Sequence, residues 1–485
     1  MPEPIRAVNC RTGEVDFTFP PATSAAVAAE AHRLRAGQAA WAALGLDGRA
    51  TALLHWADAI TAARLEIISA LAADTGRWYL SEREVDGAAN NLRRWAKLAP
   101  EVLTPEMTTE SRQSALIGTV SYQNQYVPFA LAGFISPWNF PVTLSLIDAA
   151  PALAAGCAVL IKPSEVTSRF VAPFLKTLDA VPALKAVVGL VTGGGQTGQA
   201  GVDQVDLICF TGSVSTGRGV AEAAARKFIP AFLELGGKDP LIVLEGADLE
   251  QATDAALRGS VLNTGQVCLS IERIYVHRSL YPAFVERLVE KAKNVSLNHP
   301  DIHAGHIGPL IFHKQAETIE AHLKDAIAKG ATIACGGEVQ THGGGRWCPA
   351  TVVIDVTHDM ALMTDETFGP IMPVMAFDTV DEAVALANDT TFGLSAAVIG
   401  PSADAAKVVA MRINAGGLSI NDCGLTYMTY EPEKTSFGYS GLGGSRMGPA
   451  SIQRFLRKKA LIVQHGAPQS INSFGEHAAT TPAAA

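Results

Sequence analysis

The sequence predicts an α/β fold built from two doubly wound parallel β-sheets. Over residues 157–243, short apolar, β-rich runs alternate with helical segments, and the same alternation returns from residue 248 to the run around Leu418. Such alternation places parallel strands beneath helices on both faces. The length of 485 residues also exceeds what one hydrophobic core usually serves, so we expect two or three structural units.

The composition narrows the class of protein. With 48% hydrophobic and 18% charged residues, the chain is typical of globular proteins. A net charge of −9 with scattered Lys and Arg argues against a nucleic-acid partner. The seven cysteines are widely spaced and form no CxxC, which predicts neither a disulfide framework nor a metal site and favours a reducing, cytoplasmic location.

Two segments bear on membranes. Residues 1–6 contain no apolar core after a basic stretch, so no signal peptide is expected. Residues 142–161 are nearly all apolar and long enough to approach a bilayer's thickness, but Asp148, Pro151 and Gly156 interrupt them. We therefore expect a buried helix followed by a buried strand there, and no membrane partner.

The first third of the chain is predicted to supply a helical cover and a hairpin. Amphipathic patterns predict three helices, at residues 24–44, 49–73 and 80–98. Two strand-like runs follow, at residues 115–122 and 126–135, and the polar stretch between them predicts a hairpin turn.

The second half repeats the strand and helix alternation. Helices are expected at residues 249–263, 281–295, 314–329, 380–388 and 403–414. Strands are expected near Ile274, Val352, Val374, Ala397 and Leu418. A last strand is expected at residues 459–463, and the small and polar residues after it predict a disordered tail.

Cys268 and Glu234 are the candidate catalytic pair. Polar Asn263, Gly265 and Gln266 precede Cys268, which argues against inert core packing, and N–H groups of a following helix would lower the thiol pKa. Glu234 ends an apolar strand, where a carboxylate is costly unless it is paired or used. It could act as a base on the thiol or on water, and the alternative is a structural ion pair with Lys238.

Asn139 lies in the segment PWNFP, whose two prolines stiffen a turn at the end of a strand. An amide NH2 held in this way can donate to a developing oxyanion. The alternative is an Asn that satisfies the backbone of its own turn.

Four segments could hold or border a dinucleotide. The strand at 206–210, a turn from Gly212 to Gly217 and a helix supply free N–H donors for a pyrophosphate, and a second Gly-rich turn at 193–198 could border the same ligand. The segment KPSE at 162–165 could meet ribose hydroxyls, or could simply cap a surface helix. Glu366 and Phe368 could hold a second ribose and a flat ring, or could be a helix end with a core Phe.

Taken together, PWNFP, KPSE, FTGS, ELGGK, NTGQVC and ETFGP occur in the order and at the approximate intervals seen in the aldehyde dehydrogenase superfamily, which the chain resembles from about residue 20 to 465. The resemblance implies that Cys268 attacks an aldehyde carbonyl to form a thiohemiacetal, whose oxyanion Asn139 and the Cys268 N–H hold. Hydride then passes to NAD. Glu234 is the implied base for hydrolysis of the thioester, and its presence favours hydrolysis over acyl transfer to coenzyme A.

The resemblance also assigns the cofactor site. It places Lys162 and Glu165 on the adenosine ribose, Ser213 on the pyrophosphate and Glu366 on the nicotinamide ribose, and Glu165 would repel a 2′-phosphate, which favours NAD over NADP. The full set expected to bind NAD is Ile135, Ser136, Pro137, Trp138, Lys162, Ser164, Glu165, Gly195, Gly212, Ser213, Thr216, Leu235, Gly236, Glu366 and Phe368.

The implied organisation has three parts. They are a Rossmann-like NAD-binding domain at residues 1–113 and 130–245, a catalytic domain at 246–440, and a small β arm for oligomerisation at 114–129 and 455–465. An arm that adds a strand to a neighbour would make a homodimer or a homotetramer. Residues 466–485 form the tail expected to be disordered.

The substrate class is less constrained. Apolar residues that flank the motifs favour a hydrophobic aldehyde, aromatic or aliphatic, and they are Phe140, Leu144, Ile147, Leu262, Val267, Leu269 and Tyr427. Arg273, close to the thiol in sequence, keeps an anionic semialdehyde as the alternative. A catalytically silent binding protein is the third possibility, but it predicts a lost nucleophile. Where many members read PFGGxKxSG, residues 433–441 read EKTSFGYSG, so the substrate subclass does not follow from the resemblance.

Overall fold

The computed structural model describes residues 3–107 and 110–474. A short antiparallel pair, Ile5–Val8 with Val15–Phe19, comes first. The helices that follow are Ser24–Ala43, Gly45–Ala62, Arg64–Thr75 and Trp78–Met107. The single helix expected at residues 49–73 is therefore wrong, because Ala63, with φ −89° and ψ 9°, breaks it into two.

The helical cover folds as its apolar spacing predicts. In the helix Ser24–Ala43, the side chains of Val27, Ala31, Leu34 and Trp41 are buried, and their spacing of three, four and seven residues puts them on one face. That face packs into the largest hydrophobic core, which also contains the strands of the first sheet.

The first sheet has six strands, and most of the candidate dinucleotide motifs lie at the carboxyl ends of its strands. In spatial order they are Gly441–Leu442, Ala231–Glu234, Leu207–Thr211, Leu131–Ile135, Ala158–Lys162 and Val188–Leu190. All neighbours are parallel except the first pair. Since carboxyl ends of parallel strands meet at the same edge, the segments that follow these strands converge there.

The second sheet has seven strands. In spatial order they are Thr332–Cys335, Thr351–Ile354, Ile371–Phe377, Ile271–His277, Asp239–Val243, Ser395–Ile399 and Gly417–Ile420. Only the first pair is antiparallel. Its helices, close to their expected limits, are Leu249–Val261, Tyr281–Lys293, His313–Ala328, Val380–Asn388 and Ala403–Ala410.

The third sheet corrects one prediction. Residues 123–125 do not form a turn but lie inside the strand Val120–Pro128, which pairs along its length with Leu456–Gln464 and briefly with Arg112–Gln113. The hairpin expected between 115–122 and 126–135 is wrong, because the pattern of the second run conceals a break after Pro128, beyond which Leu131–Ile135 joins the first sheet. The domain limits and the homodimer or homotetramer stay predictions.

The apolar segment at residues 142–161 and the C-terminal tail differ in part from their predicted structures. Residues 141–162 form two helices, Pro141–Leu146 and Ala149–Ala155, where a single helix was expected, and then the expected buried strand Ala158–Lys162. Within the described ranges, no helix is both long and apolar enough to cross a bilayer. Of the tail expected to be disordered, residues 466–474 include a short 3₁₀ helix, Ile471–Phe474, and residues 475–485 lie outside the described part of the chain.

Candidate active site

A cavity of about 720 Å³ runs along the carboxyl edge of the first sheet and reaches Cys268. All fifteen residues expected to bind the dinucleotide line it, together with Asn139 and Leu144. Sequence reasoning missed further lining residues. Gln199 and Gly219 each lie one helical turn beyond a predicted residue and could have been found by that spacing, whereas Phe312, Gln315 and Thr318 gave no local signal.

Two helices begin at the wall of the cavity. They are Gly195–Val202 and Val214–Arg226, and each follows one of the Gly-rich turns. Ser213 caps the second helix, since its Oγ accepts a hydrogen bond of 3.3 Å from the Thr216 N–H. The positive end of the helix dipole and its free N–H groups therefore face the cavity, which suits an anionic pyrophosphate.

Lys162 and Glu165 line the cavity beside the turn at Gly193 and Gly194. The Lys162 Nζ donates to the Gly193 carbonyl at 2.8 Å and lies 3.1 Å from Glu165 Oε2. The Lys162 side chain is 8% exposed, whereas that of Glu165 is 42% exposed. The carboxylate is thus available to a hydroxyl-bearing ligand from the open side.

Glu366 and Phe368 lie nearer to Cys268. The Glu366 Oε1 accepts from the Gly237 N–H at 3.1 Å, and a Cβ at Gly236 would lie 2.6 Å from Glu366 Oε2, so only glycine lets the carboxylate approach. Burial, aided by the charge of Glu272, raises the pKa of Glu366 to about 8. Phe368 has a left-handed φ of 51° and packs edge-on to Trp138.

Lys238 does not pair with Glu234, so the alternative prediction of a structural ion pair between these two residues is wrong. The buried Lys238 Nζ lies 2.6 Å from Glu272 Oε2 and 3.2 Å from Thr367 Oγ1. Glu272 in turn accepts from the N–H groups of Thr367 and Phe368, at 2.8 and 2.7 Å. This buried pair, which sequence reasoning missed, holds the loop that carries Glu366 against the cavity.

Cys268 lies in a tight connection rather than before a helix. The short 3₁₀ helix Leu262–Gly265 precedes it, with left-handed φ values at Asn263 and Thr264, and the strand Ile271–His277 follows it. The expected helix dipole at the sulfur is therefore wrong. Burial raises the pKa of the Cys268 thiol to about 12, Lys434 lowers it and Glu234 raises it. Cys268 is half-buried, and of the other cysteines only Cys335 is as accessible.

Asn139 is fixed toward the thiol segment. Its Nδ2 donates to the Gln266 carbonyl at 3.0 Å, which uses one of the two N–H groups of the amide. Its own carbonyl accepts from Arg77 Nη2 at 2.6 Å and from Asn263 Nδ2 at 3.2 Å. The reading in which Asn139 satisfies only its own turn is wrong, since its partners come from two distant segments, one at Arg77 and one at residues 263–266.

Glu234 sits at the end of its strand, where Gly441 pairs with it from the antiparallel strand Gly441–Leu442. Its Oε2 accepts a hydrogen bond from Ser436 Oγ at 2.9 Å and lies 3.7 Å from Lys434 Nζ. Both partners belong to the segment that departs from the usual family pattern.

The residues expected to contact substrate are spread more widely. Leu144 lines the cavity, whereas Phe140, Ile147, Leu262, Val267, Leu269 and Tyr427 do not. Phe140 packs against Arg77, and the Tyr427 hydroxyl accepts from Arg258 Nη1 at 2.8 Å. Arg273 is fully buried and donates to the carbonyls of Lys238, Leu386 and Ala387, so it does not serve as the anion-binding group of the semialdehyde alternative.

The fold and the site place one cavity along the carboxyl edge of the first sheet, with a cysteine just ahead of a strand of the second sheet at its wall, and this arrangement is typical of α/β enzymes. The sequence model of the aldehyde dehydrogenase family matches residues 2–461, and the chain belongs to the aldehyde dehydrogenase family. Its members oxidise aldehydes.

Similar proteins agree in fold and in family. The structure of the "Putative Aldehyde Dehydrogenase PutA" of Anabaena variabilis is 51% identical, with a TM-score of 0.93 over 97% of this chain and 99% of that one. A betaine aldehyde dehydrogenase of Staphylococcus aureus, solved in complex with NAD+, is 29% identical, with a TM-score of 0.88 over 97% of this chain and 93% of that one. A Mycobacterium tuberculosis protein named "Putative succinate-semialdehyde dehydrogenase", with NADP(+) as its stated cofactor, is 33% identical over 93% of this chain and 86% of its own length.

Proposed function

We propose that the protein oxidises an aldehyde to a carboxylic acid with NAD as the electron acceptor and Cys268 as the nucleophile. The observation that carries this proposal is one cavity with the dinucleotide motifs along its wall and the thiol at its end. Its volume of about 720 Å³ lies in the range of cofactor sites. A carboxylate, a helix N-terminus and a second carboxylate follow one another along it, which fits two riboses joined by a pyrophosphate.

The residues of this chain would share the chemistry as follows. The Cys268 thiol releases its proton to solvent, and the thiolate forms a C–S bond to the carbonyl carbon while the remaining N–H of Asn139 Nδ2 donates to the resulting oxyanion. NAD, when bound, would accept the hydride that the carbon loses as its C–H bond breaks and the carbonyl of the thioester forms. Glu234 takes a proton from water as the water attacks the thioester. The C–S bond then breaks, so that the acid leaves and the thiolate is restored.

Two substrate classes remain in competition. For a hydrophobic aldehyde the support is Leu144, the one residue of the expected apolar set that lines the cavity. A carboxylated aldehyde is supported by the name of the mycobacterial relative and by one cation, Lys434 beside Glu234. NADH formation with hexanal, benzaldehyde and succinate semialdehyde separates the two by kcat/KM. No NADH with any aldehyde would favour a catalytically silent protein.

Glu165 is expected to select the cofactor. We predict a higher kcat/KM with NAD than with NADP, because a 2′-phosphate would lie beside this carboxylate, and we predict that Glu165→Gln lowers the NAD to NADP ratio about tenfold. Initial rates with each cofactor measure it, with the exposed Glu317→Gln as the matched control. Equal kcat/KM values for the two cofactors in the unmodified protein would defeat this role.

A further inference from the structure

Lys434 and Ser436 form a chain of hydrogen bonds that ends on Glu234. The Lys434 Nζ donates to Ser436 Oγ at 3.3 Å, and Ser436 Oγ donates to Glu234 Oε2 at 2.9 Å. The same ammonium lies 3.7 Å from that carboxylate oxygen. The side chains of Lys434 and Glu234 are only 8% and 15% exposed, so water screens this pair weakly.

Backbone contacts fix the segment that carries both donors. The Lys434 N–H donates to Ser445 Oγ at 3.0 Å, and Phe437–Gly438 pairs with Phe392–Gly393. Beyond it, Gly441–Leu442 pairs with the strand that ends at Glu234. The Lys434 ammonium is therefore held in place by the fold rather than by a flexible surface loop.

The charges around this group connect it to the thiol. Lys434 lies beside Glu234, and its charge also acts on Asp239 and Cys268. The charges that act on the Cys268 thiol are those of Lys434, Glu234, Arg446 and Glu366, and Lys434 is the foremost of the two cations that lower its pKa against the effect of burial. Arg446 is bound to Asp148 and to Thr211 Oγ1, whereas Lys434 is bound to Ser436 beside the carboxylate.

We propose that Lys434 is a positioning residue that fixes the Glu234 carboxylate through Ser436. This inference rests on the proposed function for its consequence in turnover. The charge of Lys434 also lowers the pKa of the Cys268 thiol, and that effect is independent of any substrate.

Alkylation of Cys268 by iodoacetamide tests the effect on the thiol. The thiolate displaces iodide and forms a C–S bond, so the rate below the thiol pKa follows the thiolate fraction. Lys434→Met is expected to lower the alkylation rate of Cys268 at neutral pH about tenfold, which corresponds to a one-unit rise in the pKa. Lys434→Arg should restore the rate, and the exposed Lys324→Met should leave it unchanged.

Ser436→Ala tests the effect on the base. It should leave the alkylation rate within about twofold, but should lower steady-state kcat about tenfold while the first turnover keeps its rate, because only hydrolysis depends on the ordered carboxylate. Thermal unfolding of each variant identifies a purely structural role, which would lower the Tm without moving either rate. An unchanged kcat in Ser436→Ala or in Lys434→Met overturns the proposal, and an unchanged alkylation rate in Lys434→Met removes the effect of its charge on the thiol. Absence of NADH formation by the unmodified protein would instead overturn the proposed function, whatever the alkylation rates.

Discussion

Replacing Cys268 with alanine is expected to abolish aldehyde-dependent NADH formation, with a loss in kcat of at least about 10⁴-fold. The sulfur is the only group of the proposed mechanism that bonds to the carbonyl carbon, and the loss of a nucleophile typically removes nearly all of the rate that the assembled groups provide. Absorbance of NADH at saturating aldehyde and NAD measures it.

Cys335→Ala is the matched control. Cys335 is the other cysteine of intermediate burial, but it lies on the edge strand Thr332–Cys335 of the second sheet and does not line the cavity. Its substitution should leave kcat within about twofold. Activity retained in Cys268→Ala would remove the proposed nucleophile, and equal losses in both variants would indicate damage to the fold instead.

Replacing Glu234 with glutamine is expected to slow steady-state turnover about 10²- to 10⁴-fold, because the amide cannot take a proton from water. Ser436 Oγ can still donate to the amide oxygen, so the local geometry should persist. Since thioester formation precedes the step that needs the base, the variant should show a burst of about one NADH per active site before the slow phase.

Stopped-flow fluorescence of NADH resolves that burst. The control is Glu317→Gln, an exposed carboxylate on the helix His313–Ala328 that should leave both phases unchanged. A slow variant without a burst would assign Glu234 to activation of the thiol rather than to hydrolysis. An unchanged steady-state rate would leave it without a role as base.

The cofactor edge could be predicted because its signals are local. Apart from Glu366 and Phe368, which precede the strand Ile371–Phe377 of the second sheet, the motifs there follow strands of the first sheet, as at Ile135, Lys162 and Thr211, and the carboxyl ends of parallel strands share one edge. Once the strands were recognised, the meeting of their loops followed from the rules of α/β folds. All fifteen expected residues accordingly line one cavity.

The remaining features depend on pairings between distant segments, which no local pattern encodes. The Lys238 and Glu272 pair that supports the Glu366 loop joins two strands of the second sheet. The contact of Glu234 with Ser436 spans 202 positions in the sequence. The strand Val120–Pro128 includes the polar residues 123–125, which by themselves predict a turn. They are strand residues because they pair with Leu456–Gln464, and that partner lies at the other end of the chain, where no local pattern can indicate it.

The covalent bond between Cys268 and the substrate carbon is the central claim, and mass spectrometry of trapped Glu234→Gln tests it most directly. The variant is mixed with aldehyde and NAD, quenched in acid within the burst, digested and mapped. We predict that the peptide containing Cys268 gains the mass of the acyl group, with one equivalent of NADH released. NADH formed while that peptide keeps its unmodified mass would contradict the account.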